Sequence, residues 1–148
     1  MSIDIDLAAL VDAVGDAIVV SNAKGEITLW NPAAERLFGH TQAEAIGQSL
    51  DLIIPERLRK RHWDGYDKTM ETGITRYGHD VLRVPAIDKQ GAALSIAFTV
   101  AMLYTPDKKV DAIIAVIRDE SDRFNQDREL RKRVAELEAK LKATPAGA

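Results

Sequence analysis

The stretch of sequence that decides the fold lies at residues 30–39 and reads Trp30-Asn31-Pro32-Ala33-Ala34-Glu35-Arg36-Leu37-Phe38-Gly39. Asn31 is a favoured helix N-cap, and Pro32 suits the first helical position. Gly39 can adopt the left-handed backbone with which many helices end. The stretch therefore predicts a short helix that turns Leu37 and Phe38 inward, and the segments on both sides can be placed relative to it.

The chain before this helix predicts a β-hairpin that follows a short N-terminal helix. Residues 17–20 are rich in β-branched side chains, residues 22–25 have the composition of a turn, and residues 26–30 alternate polar with apolar. Two such runs joined by a short turn are typical of a hairpin. Residues 5–14 place apolar side chains at helical spacing, which predicts an amphipathic helix that ends near Gly15.

The chain after residue 39 predicts three further helical segments. Thr41 and Glu44 have the spacing of a capping box, which opens a short helix that ends near Gly47. Ser49 begins a single turn that is interrupted at residue 55. A longer helix is predicted over Glu56–Thr72, and Gly73 closes it.

The second half of the chain predicts three strands. They cover residues 80–87, 92–103 and 110–117, and turns at residues 88–91 and 106–109 join them. The last strand is almost wholly apolar, which is typical of a central strand that is buried on both faces. Two strands, a helical middle and three strands predict an α+β fold, with one five-stranded antiparallel sheet and helices on one of its faces.

The last part of the chain predicts a separate helix. Residues 122–143 are charged and helix-favouring, and they contain no proline or glycine. Leu130, Val134, Leu137 and Leu141 step by four, three and four residues, which is the seam of a coiled coil. Because the seam covers only about two heptads, it needs support from the preceding domain. Residues 144–148 are predicted to be a frayed tail.

Composition excludes several classes of protein. The 148 residues carry a net charge of −3, which argues against a nucleic-acid partner. The absence of cysteine excludes disulfides, thiolate metal sites and photochemistry through a cysteinyl–flavin bond. No stretch reaches the roughly 18 apolar residues that a membrane span needs, and the acidic start is unlike a signal peptide. These observations predict a cytoplasmic protein with no membrane partner.

The sequence contains no recognisable catalytic constellation. It lacks a nucleophile elbow, a phosphate-binding glycine loop and a histidine–carboxylate metal motif. Asp64, Asp67 and Glu71 share one helix face, which is typical of a solvated stripe. Three scattered histidines without cysteine fit no zinc spacing. We therefore predict that the protein is not an enzyme and that it holds no metal ion directly.

Five motifs, taken in their order and spacing over residues 7–121, resemble the PAS family. They are Asp16-Ala17-Ile18-Val19-Val20 with Lys24-Gly25-Glu26-Ile27, the stretch at residues 30–39 with His40 in place of the usual tyrosine, Glu44-Ala45-Ile46-Gly47, Asp88-Lys89-Gln90-Gly91, and Arg118-Asp119-Glu120-Ser121. The resemblance divides the chain into a flanking helix at residues 1–15, a sensor domain at 16–121, a signalling helix at 122–143 and a tail at 144–148.

The resemblance implies a bacterial-type sensory module with a small pocket under the helical face of its sheet. Candidate pocket residues are His62, His79, Trp63, Tyr66, Met70, Ile96 and Phe98. Further apolar residues should fill the core or border the pocket: Ile53, Leu82, Val84, Val100, Ile114 and Val116. The signal would pass through Asp119, Glu120 and Ser121 into a homodimeric seam at Leu130, Val134, Leu137 and Leu141, and from there to a downstream signalling protein.

The resemblance leaves the ligand open. A small apolar or carboxylate ligand, or none, is one possibility, and Arg76 and Arg83 are candidate partners of a carboxylate. A non-covalent flavin bordered by Trp30 and Asn31 is another. His40 follows a helix end, where a cation favours the helix dipole, and we expect it to face water.

Haem is a third candidate ligand. Some haem-binding PAS domains resemble this chain in carrying their proximal histidine in the helical region that holds His62. His79 falls near the distal methionine of the oxygen-sensing phosphodiesterase type. In that type the proximal position falls near Thr69 of this chain, and threonine is not a usual haem ligand, which argues against a haem of that type.

Three functions remain open at this point. The first is a sensor that binds a small ligand or cofactor and transmits the change through the C-terminal coiled-coil dimer. The second is a cofactor-free dimerisation scaffold, supported by the apolar flanks at residues 5–14 and 130–141. The third is a haem-based gas or redox sensor. A chromophore or small molecule bound after purification would separate the sensors from the scaffold.

Overall fold

The structure, a computed structural model, describes residues 4–75 and 78–143. The predictions for residues 144–148 and for Arg76 lie outside the described residues. The elements are α1 (Leu7–Ala13), β1 (Ala17–Asn22), β2 (Ile27–Trp30), α2 (Pro32–Phe38), α3 (Gln42–Ala45), a 3-10 helix (Leu50–Ile53), α4 (Glu56–Thr72), β3 (Leu82–Ile87), β4 (Ala93–Tyr104), β5 (Val110–Asp119) and α5 (Ser121–Ala143). This order confirms the predicted α+β fold.

The five strands form one antiparallel sheet in the order β2-β1-β5-β4-β3. The prediction that the last strand is central is confirmed, because β5 pairs with both β1 and β4. The prediction that it is buried on both faces is wrong. Val116 keeps 37% of its surface exposed, since the helical layer covers only the other face of the sheet.

Strand register determines which side chains meet the helices. Ala17, Val19 and Ser21 of β1 are buried and pair with Ile117, Ala115 and Ile113 of β5. The core-facing residues of β5 are therefore odd-numbered, since side chains alternate along a strand. Ile114 and Val116, which we expected to fill the core or border the pocket, lie on the opposite face with Val20 and Ile18.

The short helices α2 and α3 begin at the capping residues that the sequence predicts, and α2 ends at the predicted glycine. Asn31 caps α2 by accepting a hydrogen bond from the Ala34 N–H at 3.0 Å, and Gly39 ends it with a φ of 81°. Thr41 and Glu44 form the predicted capping box of α3. The core then packs α2 against the sheet, with Phe38, Trp30 and Ala34 fully enclosed.

The two flanking helices expose apolar surface. Leu7 and Leu10 of α1 are about half exposed or more, although Val11 and Val14 are partly covered. Helix α5 has no buried residue over its whole length of 23 residues. Both helices therefore leave apolar side chains in solvent, which a single copy of the chain does not cover.

Candidate functional site

Helix α4 carries a cluster of three aromatic side chains. The ring centroids of His62 and Trp63 are 4.7 Å apart, those of Trp63 and Tyr66 are 5.1 Å apart, and those of His62 and Tyr66 are 5.7 Å apart. The spacing of three and four residues places His62 and Tyr66 on one side of the helix. Three of the predicted pocket residues are thus brought together.

Tyr66 ties the cluster to the sheet. Its hydroxyl donates a hydrogen bond to the carbonyl oxygen of Asn22 and lies 2.9 Å from Oγ of Ser21, both in β1. Burial raises the pKa of Tyr66, against the smaller lowering effect of the Ser21 hydrogen bond. The phenol therefore stays protonated at neutral pH and can keep donating.

Trp63 joins the same helix to the 3-10 helix and to the turn between β1 and β2. Its Nε1 donates to Oδ1 of Asp51 at 2.7 Å, and its ring occupies the space that a Cβ on Gly25 would fill. Gly25 has a φ of 79°, a conformation that favours glycine. Glycine in this turn thus serves both the backbone conformation and the close approach of the indole.

His62 is the member of the cluster whose polar side-chain atoms are not all hydrogen-bonded. Its Nδ1 is buried and has no hydrogen-bond partner among the described residues. Burial lowers the pKa of His62 below its ordinary value of 6.5, although the carboxylates of Asp51 and Asp67 oppose this effect. The imidazole is therefore neutral at physiological pH, which is the form that can bind a metal ion.

Helix α4 crosses one end of the sheet. Tyr66 bonds to β1, while the Tyr104 hydroxyl of β4 donates to the carbonyl oxygen of Gly73, the C-cap of α4, at 3.2 Å. Between these two ties the core face of the sheet carries Met102 and Ile113, which pair with each other and are only partly buried. The helix thus spans an apolar floor that is not tightly covered.

The same floor continues toward β3. Phe98 and Val100 of β4 and Leu82 of β3 are half-buried, and Val84 keeps 39% of its surface exposed although it pairs with the buried Ile96. The helices that pack closely on the sheet are α2 on β1, α3 on β2 and the 3-10 helix on β3. The apolar side chains beyond them are only partly covered.

The other predicted pocket residues are more scattered. Ile96 is buried in the core and pairs with Asp119, at the end of β4 away from Tyr104. Met70 is half-buried on α4, and His79 is exposed on the segment before β3. Arg83 is exposed and pairs with Ala97 on the face opposite the helices, so it does not lie under the helices with the other candidates.

Trp30, Asn31 and His40 lie close together beside α2, and each packs in the core or makes hydrogen bonds to the backbone. Trp30 is buried and donates from Nε1 to the carbonyl oxygen of His40 at 3.0 Å, and Asn31 is buried with all its bonds to backbone groups. The expectation that His40 faces water is wrong. Its Nε2 is buried and finds no hydrogen-bond partner in the described part of the chain, and the ring packs edge-on against Trp30.

The exit from the sheet is a compact set of hydrogen bonds. The Glu120 N–H donates to the Ser95 carbonyl oxygen at 2.7 Å, and the Ser95 N–H donates to Oγ of Ser121 at 3.0 Å. Oδ1 of Asp119 accepts from the Ser121 N–H at 2.8 Å. The three predicted signalling residues thus form the turn from β5 into α5, and β4 takes part through Ser95.

An ion pair that the sequence did not reveal joins the two ends of the domain. Nε and Nη2 of Arg118 contact the two carboxylate oxygens of Asp16 at 3.1 and 3.2 Å. Both residues belong to the motifs that carry the family resemblance, but their separation of 102 positions hides the contact. The pair closes the start of β1 onto the end of β5.

The predicted seam of α5 is exposed. Leu130, Val134, Leu137 and Leu141 keep 60%, 51%, 53% and 76% of their surface in solvent. In the part of the chain that the structure describes, no helix combines the length and the apolar character that a membrane crossing requires.

Comparison with known proteins agrees with this architecture. The family model described as PAS fold matches residues 5–120. The sensor protein FixL of Bradyrhizobium diazoefficiens is 43% identical over 60 residues, which are 40% of this chain and 12% of FixL. The oxygen sensor protein DosP of Escherichia coli is 28% identical over 114 residues, which are 77% of this chain and 14% of DosP. The chain thus spans a small part of these relatives.

Solved structures give the same result for the fold. A PAS domain from Colwellia psychrerythraea superposes with a TM-score of 0.68 at 23% identity, covering 78% of this chain and 95% of that one. The family match extends from the N-terminal helix to the turn after β5, and so includes the aromatic cluster and the half-covered sheet face. On this evidence the chain belongs to the PAS family of sensory domains.

Proposed function

We propose that the chain is a cytoplasmic sensory module that binds a small ligand between α4 and the sheet and does no chemistry on it. The observation that carries this proposal is the half-covered apolar floor of Leu82, Val84, Phe98, Val100 and Met102. A closed core would bury such side chains fully, since each gains roughly 1.5–3 kcal/mol by burial. A ligand that fills the space would supply the missing contacts.

Among the candidate ligands, haem is supported by a specific observation, the environment of His62. His62 presents a neutral imidazole that packs against Trp63 and Tyr66, and its buried Nδ1 has no hydrogen-bond partner among the described residues. If the chain binds haem, a nitrogen of His62 would hold the iron and the partly covered side chains of the sheet would contact the porphyrin. A bound haem iron would supply reversible binding of a diatomic gas or a change of redox state. One relative, DosP of Escherichia coli, is named an oxygen sensor protein, which is consistent with this proposal.

Thr69 and His62 are the two positions of α4 that the family resemblance offers for a residue that would hold haem iron. The two residues are seven positions apart, so they lie on the same face of the helix. The Thr69 hydroxyl is engaged by the Gly65 carbonyl oxygen at 3.0 Å. Thr69 therefore does not compete as a ligand, and we propose His62 as the residue of α4 that would bind iron. His79, which is exposed before β3, remains a second candidate for holding a haem.

The signal would leave the pocket through β4 and β5. Phe98 belongs to the apolar floor and pairs with Ile117 of β5. Three residues before Phe98, the backbone of Ser95 is hydrogen-bonded to Glu120 and Ser121. A ligand that shifts β4 would therefore act directly on the first residues of α5. The output would be a change in the pairing of α5 within a homodimer, which a downstream signalling protein would read.

The scaffold function is the alternative, in which the apolar floor stays empty and the fold only dimerises. The exposed apolar residues of α1 and α5 support it as well as they support the sensor. The two functions differ in whether a small molecule stays bound. Native mass spectrometry of the purified chain would detect a bound molecule in the sensor and only protein mass in the scaffold.

The haem proposal is tested by adding haemin to the purified chain and recording the absorption spectrum. We expect a sharp Soret band that His62→Gly loses and that added imidazole restores to that variant. His40→Gln is the matched control, since His40 also has a buried unpartnered nitrogen but lies near α2. An unchanged spectrum in His62→Gly would contradict the assignment of His62, and no band in the native chain would exclude haem.

A further inference from the structure

Two of the three methionines border the gap between α4 and the sheet. Met102 lies on the core face of β4, pairs with Ile113 and is half-buried. Met70 is also half-buried and lies one turn after Tyr66, on the side of α4 that bonds to β1. Met1 lies outside the described residues. Because the chain has no cysteine, these two thioethers are the sulfur atoms of the domain that an oxidant can modify.

Tyr104 places one hydroxyl group between two acceptors. Its Oη lies 3.2 Å from the carbonyl oxygen of Gly73, the C-cap of α4, and 4.0 Å from Sδ of Met102. The bond to the carbonyl is longer than the usual O–H···O distance of about 2.7–2.8 Å, and a thioether is a weak acceptor. Since the hydroxyl has a single proton, a stronger acceptor on the sulfur would draw it away from Gly73.

We propose that Met102 is an oxidation site, and that its sulfoxide releases the C-terminal end of α4 from the sheet. Hydrogen peroxide is the oxidant. Sδ takes one peroxide oxygen, the O–O bond breaks, and the hydrogen of the transferred oxygen passes to the departing hydroxide to give water. The sulfur is oxidised by two electrons and the peroxide is reduced by two. The new oxygen reduces the gap to Tyr104 and is a stronger acceptor than the thioether.

The same hydroxyl group favours oxygen transfer at Met102 over Met70. The transferred oxygen gains negative charge, which a hydrogen-bond donor within reach stabilises. Tyr104 supplies this donor and is half exposed, so the pair is not sealed from solvent. In the described segments no donor lies on the sulfur of Met70. One hydrogen bond of ordinary strength predicts that Met102 is oxidised about five times faster than Met70.

The release would act on one of the hydrogen bonds that join α4 to the strands. Tyr66 bonds the middle of the helix to β1, and Tyr104 bonds its end to β4. Loss of the second bond would leave the carbonyl oxygen of Gly73 to water and loosen the last turn of α4 over the apolar floor. The inference concerns the chain without a ligand, so it does not rest on the proposed function.

The rates of oxidation test the site itself. The full chain is exposed to dilute hydrogen peroxide, the reaction is stopped at intervals, and peptide mass spectrometry measures the added oxygen at each methionine. We expect Met102 to react about five times faster than Met70. Tyr104→Phe removes only the hydroxyl group and should remove this advantage. Equal rates in the native chain, or an advantage that Tyr104→Phe retains, would show that the hydroxyl group does not direct the oxidation.

Hydrogen exchange tests the release of α4. The Gly73 N–H is bonded to the Thr69 carbonyl oxygen at 2.8 Å, and exchange of residues 67–73 should become about threefold faster once Met102 is oxidised. Met102→Leu should lose this response to peroxide, while Met70→Leu, the matched control, should keep it. Leucine is close to methionine in volume, so both variants should fold. Unchanged exchange after complete oxidation of Met102, or a response that persists in Met102→Leu, would overturn the proposal.

Discussion

A single polar side chain, that of Asn31, organises the junction of the two helices and the first strand. Its Oδ1 accepts from the N–H groups of Ile18 at 2.9 Å and Ala34 at 3.0 Å, while its Nδ2 donates to the carbonyl oxygens of Val11 at 3.0 Å and Asp16 at 3.1 Å. All four bonds are made by a buried residue. The side chain thus leaves no unsatisfied polar atom in the core.

Replacing Asn31 with alanine should destabilise the domain by about 3 kcal/mol, because several backbone groups would lose their partner in a buried place. Urea unfolding followed by circular dichroism measures this change. Asn125→Ala is the control, since Asn125 is exposed on α5 and its replacement should change stability by no more than about 0.5 kcal/mol. Equal effects of the two substitutions would show that the bonds of Asn31 contribute little.

The sequence predicted only part of what Asn31 does. A residue of this type before proline is a recognisable cap, and its bond to Ala34 lies three positions away. The bonds to Val11, Asp16 and Ile18 span 13 to 20 positions and follow from how the elements pack. His62 shows the same limit. The sequence named it as a candidate ligand, but the burial of its Nδ1 depends on how α4 packs and could not be predicted.

At the scale of the elements, helix ends were predicted better than strand faces. The bounds of α4 agree with the sequence prediction because Pro55 and Gly73 mark them. The apolar run of β5 gave the right position in the sheet but the wrong burial. A run without alternation cannot show which face has a helical cover, and this is also why Ile114 and Val116 were assigned to the wrong side.

The ion pair between Glu44 and Lys89 links α3 to the turn that joins β3 and β4. The Nζ–Oε2 distance is 2.6 Å. The hydrogen bond from Lys89, together with that from the Thr41 backbone, lowers the pKa of Glu44 to about 2 from an ordinary value of 4.5. A carboxyl group with a lowered pKa stabilises the fold fully above its unfolded pKa, and it loses this effect as the pH falls toward its folded pKa.

Glu44→Gln should therefore lower the urea midpoint at neutral pH, and its difference from the native chain should shrink as the pH falls below 4.5 and vanish near 2. Urea titrations at a series of pH values measure the difference. Lys89→Gln completes a double-variant cycle, in which Glu44→Gln should have little further effect. A difference that stayed constant with pH would show that the charge of Glu44 does not stabilise this contact.

At the scale of the whole molecule, the proposed binding site and the proposed dimer surface are two separate places. The first lies between α4 and the sheet, and the second lies on α5. Helices α2 and α3 and the 3-10 helix pack closely on the sheet, whereas α4 is joined to the strands by the hydrogen bonds of Tyr66 and Gly73. Helix α5 touches the domain mainly where it begins, beside Ser95 of β4. Ligand binding and dimerisation therefore use separate surfaces that meet at the turn from β5 into α5.

Because the surfaces are separate, loss of the dimer should leave the binding site intact. Leu137→Glu places a charge in the middle of the seam and should convert the chain to a monomer in sedimentation experiments, since two carboxylates would be brought together in an apolar contact. Its unfolding midpoint for the globular domain, and its Soret band with haemin if the native chain shows one, should remain those of the native chain.

Ala139→Glu is the matched control for this experiment, because it adds the same charge on the outer side of the helix, away from the seam. We expect that variant to sediment as the native chain does. If Leu137→Glu kept the native mass, the seam would be misassigned and the dimer would have to form through α1 or the exposed face of the sheet. If the monomer also lost ligand binding, the site would depend on the second copy, and the signal could not pass from the pocket to α5 in the order proposed.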